Sequence, residues 1–198
     1  DMRLRYRTSE DGDLGVHNTQ DQRVRLQVEG KVNDNWSLVS RFEAVNNLRE
    51  IDGSRSDVTM DKMFAKGQYG DFGVKLGRFD TFQAYGIFTD DYMEGAEVSW
   101  SNDKIYAALR AGKYGKIQAD TGLSGVGYED NYTAYVGELG FLNVVKGLNI
   151  RGAYSHFDSD ETSGGVWEAG ADYTFGNSGL KLTAAAADTT SDLSVKGD

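Results

Sequence analysis

The sequence predicts an all-β protein made of antiparallel strands. Apolar and polar residues alternate along most of the 198-residue chain, and a period of two places the two sets on opposite faces of a strand. Proline is absent and glycine occurs 25 times, so strands keep their backbone donors and tight turns form easily. Short turns alternate with long polar connections. These observations predict one domain over residues 1–198 in which about eleven strands follow one another.

The alternation can be followed segment by segment. The first segment sets three arginines against three apolar residues, and later segments repeat the scheme with other polar residues. Each apolar set is predicted to share one face of its strand. In chain order the apolar sets are Met2, Leu4, Tyr6; Val24, Leu26, Val28; Leu38, Phe42, Ala44; Met63, Ala65, Tyr69; Ala96, Val98, Trp100; Ile105, Ala107, Leu109, Ala111; Leu148, Ile150, Tyr154; Trp167, Ala169, Ala171, Tyr173, Phe175; and Leu180, Leu182, Ala184, Ala186.

The connections between these segments differ in length in a regular order. The short turns are at 33–35, 70–71, 102–103, 146–147 and 177–179, and the long polar stretches are at 9–22, 46–57, 80–93, 114–131 and 158–165. Short connections at one rim and long ones at the other are typical of outer-membrane barrels. Aromatic residues near segment ends, such as Trp36, Trp100 and Tyr173, suit an interfacial girdle, although a soluble sheet could bury them in a core instead.

Composition excludes several classes of protein. The net charge of −10 argues against a nucleic-acid partner, because binding phosphates requires a basic surface. The chain has no cysteine, so neither disulfides nor thiolate metal sites are expected. A mean hydropathy of −0.53 and the lack of a long apolar run exclude a transmembrane helix. They do not exclude transmembrane strands, whose alternating segments average to a hydrophilic value.

Many cations fall on the polar faces of the predicted strands. One basic residue facing lipid near the bilayer midplane costs about 2–4 kcal/mol, so in a membrane barrel these cations must face a water-filled interior with acidic groups opposite. The alternative is the solvated outer face of an ordinary sheet. The predicted lining consists of Arg3, Arg5, Arg7, Arg23, Arg25, Arg41, Lys62 and Lys66.

One connection, residues 81–93, is rich in both aromatic residues and acids. It follows Asp80 and contains Asp90 and Asp91, together with Phe82 and Tyr85 among its aromatic residues. A loop with this many aromatic residues usually packs against another part of the protein. Folded into the interior, it would press its rings on the wall and hold its acids opposite the cations.

Two stretches resemble a known family. The run Gly70-Asp71-Phe72-Gly73, followed by Leu76-Gly77-Arg78 and Asp80-Thr81, resembles the signature of general outer-membrane porins. The stretch Gly30–Trp36, followed by Arg41-Phe42-Glu43, resembles the early hairpin of porins that carry an S-layer-homology domain in diderm Firmicutes. The similarity is clearest over the first hundred residues.

The resemblance implies a homotrimer of 16-stranded barrels in the outer membrane, through which small hydrophilic solutes and ions diffuse passively. A third loop folded inward narrows each barrel. The resemblance places Arg78 on the basic side of that constriction and Asp80, Asp90, Asp91 and Glu94 on its acidic side. It implies neither a cofactor nor catalysis, and it allows contact with the cell wall through a separate domain.

Three features depart from the family. Strict alternation puts Arg78 on the face of Val74 and Leu76 and not on that of Lys75, which requires a bulge or a strand covered by protein on both sides. Eleven strands is an odd number, and single-chain bacterial barrels have even ones. No aromatic strand closes the chain. An incomplete stretch of a larger barrel explains these departures, and a smaller closed barrel is the alternative.

Other functions have weaker support in the sequence. His17 and His156 have no ligand spacing with each other, so a metal site is not expected. The acidic run 158–161 lacks an EF-hand pattern, and the glycine-rich 122–127 lacks the lysine of a phosphate loop. A soluble or surface β-barrel or sandwich that binds a ligand is the alternative function. A barrel hydrolase that uses His156 ranks last.

Overall fold

The computed structural model describes residues 2–11, 15–47, 58–86, 90–114, 132–158, 162–176 and 180–195. It confirms the predicted all-β antiparallel class. The eleven strands in this part of the chain are β1 (Met2–Asp11), β2 (Gly15–Lys31), β3 (Trp36–Asn47), β4 (Val58–Tyr69), β5 (Phe72–Phe82), β6 (Asp90–Ser101), β7 (Ile105–Tyr114), β8 (Tyr132–Phe141), β9 (Leu148–Asp158), β10 (Thr162–Thr174) and β11 (Lys181–Val195).

The strands form a single sheet in which each strand pairs with its neighbours in sequence, in the order β1 to β11. Asparagine side chains close two of the short turns. Asn33 accepts hydrogen bonds from the backbone N–H groups of Asn35 and Trp36, and Asn102 accepts them from Lys104 and Ile105, all at 2.9 Å. Such side-chain bonds replace backbone partners and favour the turn. Among the described residues, no helix is long and apolar enough to cross a membrane.

The predicted loop over residues 9–22 is wrong in part. β1 extends to Asp11 and β2 begins at Gly15, and these two residues oppose each other in register. The predicted loop over 80–93 is likewise shorter, because β5 continues to Phe82 and β6 begins at Asp90. In these stretches polar residues follow one another in the sequence, so the alternation that identifies a strand is missing although the backbone pairs.

The exposure of the two faces of the sheet is the reverse of that in a water-soluble protein, because apolar side chains are exposed and polar side chains are buried. On β7, the apolar Leu109 is 71% exposed while its neighbour Arg110 is only 6% exposed. The same reversal holds on β8, where Leu139 is exposed and Glu138 is buried. The sheet therefore has an apolar face that nothing in the described chain covers and a polar face whose centre is buried.

The tip of the β5–β6 hairpin leaves the sheet on the polar side. Pairing of β5 with β4 ends at Met63 opposite Arg78, whereas pairing of β5 with β6 continues to Phe82 opposite Asp90. The apolar cluster of the molecule forms where this tip meets β7 and β8. Its fully buried members are Phe79, Met93, Tyr114, Ala134 and Val136.

A row of three glycines crosses the sheet where the tip departs. Gly77 opposes Gly95, and Gly95 opposes Gly112. Gly77 has φ 120°, and a Cβ atom there would lie 2.5 Å from the carbonyl oxygen of Met63. A Cβ atom on Gly95 would overlap the carbonyl oxygen of Ala111. Only glycine permits such close backbone approach, so this row allows the hairpin tip to bend inward.

Candidate functional site

The polar face carries a first group of charges on β2, β3 and β4, here called the arginine wall. Arg25 pairs with Glu43 across β2 and β3. Arg41 donates from Nε to Asp61 Oδ2 at 2.7 Å, and its Nη2 lies 2.6 Å from the same oxygen. The register shifts in β4 at this point, so that Asp61 and Lys62 together oppose Arg41. Such a bulge brings both side chains to the face of the residue they oppose, and it explains why two consecutive residues join one cluster.

The hairpin tip is fastened to the arginine wall through Tyr92 and Asp80. The ring of Tyr92 lies between two guanidinium groups, 5.6 Å from that of Arg41 and 5.4 Å from that of Arg78. The hydroxyl of Tyr92 donates to Asp61 Oδ2 at 3.1 Å. Lys62 pairs with Asp80. Cation–π contacts and ion pairs therefore hold one side of the tip to the wall.

A second group of charges lies on β6 to β10, here called the anchor wall. Arg110 donates from Nε to Glu97 at 2.6 Å and from Nη1 to Glu138 at 2.8 Å, and all three side chains are nearly inaccessible. Lys75 adds a contact of 2.9 Å to Glu97. Buried charges persist only when they are paired in this way. Glu168 and Asp172 on β10 are also buried.

The segment that follows β5, residues 83–86, crosses the polar face and binds the anchor wall. The backbone N–H of Ala84 donates to Glu138 Oε1 at 3.3 Å, and that of Tyr85 donates to Glu168 Oε1. Gln83 donates to the hydroxyl of Tyr114 at 3.1 Å. The carboxylates of β8 and β10 thus satisfy backbone donors of a segment attached to β5.

These contacts show that the polar face is concave. Neighbouring strands lie about 4.8 Å apart, so β5 and β10 would be roughly 24 Å apart in a flat sheet. Ala84 and Tyr85 are consecutive, yet they bind strands β8 and β10 respectively. Contacts from two adjacent residues to both strands are those expected when the sheet curves around the segment.

The crossing segment is held in a strained backbone conformation. Ala84 has φ 38° and is 2% exposed, and the left-handed region costs about 1–2 kcal/mol for a residue with a Cβ. The N–H of Gly86 donates to the carbonyl of Gln83 at 2.6 Å and closes the turn. Burial raises the pKa of the Tyr85 phenol, which donates to Asp172 Oδ1 at 3.4 Å. The phenol therefore stays protonated and keeps donating.

The structure gathers five of the predicted cations on the polar face: Arg23, Arg25, Arg41, Lys62 and Lys66. They do not form a purely basic stripe, because Glu29, Glu43 and Asp61 lie among them and pair with them. The side chains of Arg3, Arg5, Arg7, Asp90 and Asp91 lie outside the described part of the molecule.

Arg78 and Glu94 lie next to each other on the sheet. The two were expected on opposite sides of a constriction, but they are paired on neighbouring strands, with Arg78 Nη1 3.1 Å from Glu94 Oε1. Arg78 opposes Met63 and lies on the other face of β5 from Lys75 and Phe79. β5 has no bulge here, so simple alternation holds, and the inward tip has protein on both sides.

The anchor wall was missed by sequence reasoning. Glu97, Arg110, Glu138 and Glu168 each fall in the polar phase of an alternating strand, and that phase was the available signal. Their contact with the backbone of residues 84 and 85 could not be predicted from the sequence, because Ala84 lies 54 residues from Glu138 and Tyr85 lies 83 residues from Glu168.

Comparison with family models and with curated proteins does not indicate a function for the chain. No family model matches the sequence, and no curated protein matches it either. Within the described residues, no group of three or more histidine, cysteine, aspartate or glutamate side chains could hold a metal ion.

Proposed function

We propose that the chain forms the wall of an outer-membrane porin, through which small hydrophilic solutes and ions diffuse passively. The observation that carries the proposal is the reversal of the two faces. The apolar face would contact lipid, and the polar face would line a water-filled interior narrowed by the segment 83–86. In lipid, every strand needs paired neighbours, so a barrel requires β1 and β11 to meet directly or through further strands.

An aromatic rim supports a membrane location for the apolar face. Trp36 and Tyr69 lie together near the short turns, where Trp36 Nε1 donates to the Tyr69 hydroxyl at 2.6 Å. Tyr173 and Phe175 form a second pair, with ring centroids 4.8 Å apart. Aromatic residues of this kind mark the boundary between hydrocarbon and water in membrane barrels.

The rim also gives the strand tilt that a barrel needs. Following the register across the sheet from Trp36 on β3 leads to Trp167 on β10. The rim residue of β10 is instead Tyr173, six residues further along. The rim is therefore displaced by about 20 Å along the strands over seven strand spacings of about 4.8 Å each. This displacement corresponds to a strand tilt of roughly 30°, close to the 35–45° of membrane barrels.

The two walls suggest where solutes pass. The segment 83–86 is bonded directly to the anchor wall, and Gln83, Ala84, Glu138 and Ser155 are all buried there. The side chains of the arginine wall keep more exposure, with Arg25 at 20%. Solutes would therefore pass along the part of the arginine wall formed by Arg23, Arg25 and Glu43, beside the contacts that Tyr92 and Asp80 make with that wall. Paired charges of both signs in that passage would orient dipolar solutes while the gap sets their size.

The proposed protein would act in the outer membrane, as a homotrimer by resemblance, without cofactor or catalysis. The test is to add the purified full chain to a planar lipid bilayer. The proposal expects stepwise conductance that is linear in voltage. A protein that gives no steps, and that stays in the aqueous phase without detergent, would overturn it in favour of a soluble β-protein that binds a ligand.

A further inference from the structure

Arg151 on β9 is an arginine of the polar face whose donors are not used by the protein. It lies two residues from Ala153, which opposes Glu138 and Glu168 on that face. Among the described residues, none forms a hydrogen bond or an ion pair with its guanidinium group, and its Nε is inaccessible. The residue as a whole is half-buried. A guanidinium group carries five N–H donors, so this side chain is free to bind an acceptor.

The positions on both sides of Arg151 are glycines. Arg151 opposes Gly140 on β8 and Gly170 on β10, so neither flanking position carries a side chain on the polar face. A Cβ atom on Gly140 would lie 3.3 Å from Arg151 Cγ, so glycine leaves room for the stem of the arginine. A small solute can therefore approach the guanidinium group along either neighbouring strand.

The carboxylate beside Arg151 already has its own donors. Asp172 on β10 is 2% exposed. It accepts hydrogen bonds from Asn149 Nδ2 at 2.9 Å and from the Tyr85 hydroxyl at 3.4 Å. A buried carboxylate with these partners is satisfied, and a solute in the interior cannot reach it.

A second cation, Lys181 on β11, lies on the other side of Asp172. Its Nζ is 3.3 Å from Asp172 Oδ2, and its side chain is 53% exposed. Asp172 opposes Asn149 and Thr183 in register, so Arg151 and Lys181 occupy opposite diagonals from it, each about 7–8 Å away and within reach of a long side chain. The other carboxylates of the anchor wall are also buried: Glu97, Glu138 and Glu168. The charges that a solute meets here are therefore the two cations.

We propose that Arg151 and Lys181 bind the phosphate group of a solute at the end of the interior near the short turns. The inference rests on the proposed function, because it takes the polar face to line a water-filled passage. Arginine presents a planar fork of donors that fits a phosphate group, and lysine adds a compact second charge. A phosphate monoester carries about two negative charges at pH 7, so a pair of cations suits it better than a carboxylate.

The test is isothermal titration calorimetry of the full chain in detergent, with inorganic phosphate as the probe and acetate as the comparison at the same ionic strength. Arg151→Gln removes the guanidinium group. Lys181→Gln removes the ammonium group, and because Lys181 is exposed, this variant tests the site without disturbing the packing of β9. Lys146→Gln is the matched control, since Lys146 is an exposed lysine in the turn before β9.

The wild-type chain is expected to bind one phosphate ion, more tightly than acetate. Arg151→Gln should weaken phosphate binding about tenfold, as expected for lost hydrogen bonds between charged groups, and Lys181→Gln about threefold, as for an exposed ion pair. Lys146→Gln should bind phosphate like the wild type.

Unchanged phosphate binding in both Arg151→Gln and Lys181→Gln would overturn the proposal, and so would acetate binding as tight as that of phosphate. The bilayer conductance of the same preparations separates the two claims. A protein that conducts but binds no phosphate overturns the site alone. A protein that binds phosphate through Arg151 but gives no conductance overturns the proposed function.

Discussion

The two walls of the polar face use charge differently. On the anchor wall, Glu97, Arg110 and Glu138 are almost completely inaccessible. Both carboxylates bind Arg110, and Glu138 also accepts a hydrogen bond from the backbone of the crossing segment. On the arginine wall, Arg25 and Glu43 pair with partial access to the interior. The difference indicates that the charges of the anchor wall stabilise the fold. Under the proposed function, the arginine wall is the one that would meet the solute.

The most disruptive test of this comparison removes the centre of the anchor wall. Arg110→Ala would remove the cation that the buried Glu97 and Glu138 share and leave Glu97 with Lys75 alone; breaking a buried ion pair in this way typically costs about 3–5 kcal/mol. Arg78→Ala is the matched control, because it breaks an exposed pair, with Arg78 44% and Glu94 62% exposed, and should cost less than about 1 kcal/mol. Urea unfolding of the protein in detergent would measure the free energy of unfolding of both variants. Equal effects would show that the anchor wall is an ordinary solvated surface.

The glycine row can be tested next. Gly95→Ala would force a Cβ atom against the carbonyl oxygen of Ala111, and we expect a loss of about 1–3 kcal/mol, as for other overpacked sites. Gly30→Ala places the same methyl group on an outward position with no neighbours and should change the free energy of unfolding little. If the two variants are equally stable, the bend of the hairpin tip does not depend on close backbone approach.

A smaller effect is expected on ion selectivity. Arg25→Gln removes a partly accessible cation from the arginine wall, and it should shift the permeability ratio toward cations about twofold, because a fixed charge in a narrow passage acts on the local ion concentration. Lys146→Gln at the rim of the short turns is the control. The reversal potential in a salt gradient measures the shift. An unchanged value for Arg25→Gln would mean that solutes avoid the arginine wall.

The smallest expected effect concerns the Tyr85 phenol. Its pKa is raised in the folded state, so its contribution to stability is present below the unfolded value near 10 and is lost as the pH rises through the folded value. Tyr85→Phe should therefore flatten part of the alkaline loss of stability and cost about 0.5 kcal/mol at neutral pH. Thermal unfolding between pH 8 and pH 11, set beside wild type, measures the slope, and an identical slope would contradict this account of Tyr85.

Alternation alone was enough to place most side chains. It assigned Arg25 and Val24 to opposite faces, and it placed Arg78 with Leu76 where the family resemblance suggested otherwise. It could not show the bulge at Asp61, since an extra residue in one strand leaves no mark in a polar stretch. Nor could it show that Glu138 and Glu168 hold the backbone of residues 84 and 85, because that contact depends on how strongly the whole sheet curves.

The central claim is that the apolar face contacts lipid while the polar face contacts water. The chain has no cysteine, so single cysteines for spin labels can be placed at Leu109 and Leu139 on the apolar face and at Glu29 and Lys66 on the polar face. In lipid vesicles, the first two labels should be reached by oxygen and the last two by a water-soluble paramagnetic reagent. Labels at Leu109 and Leu139 that respond only to the water-soluble reagent would contradict the account.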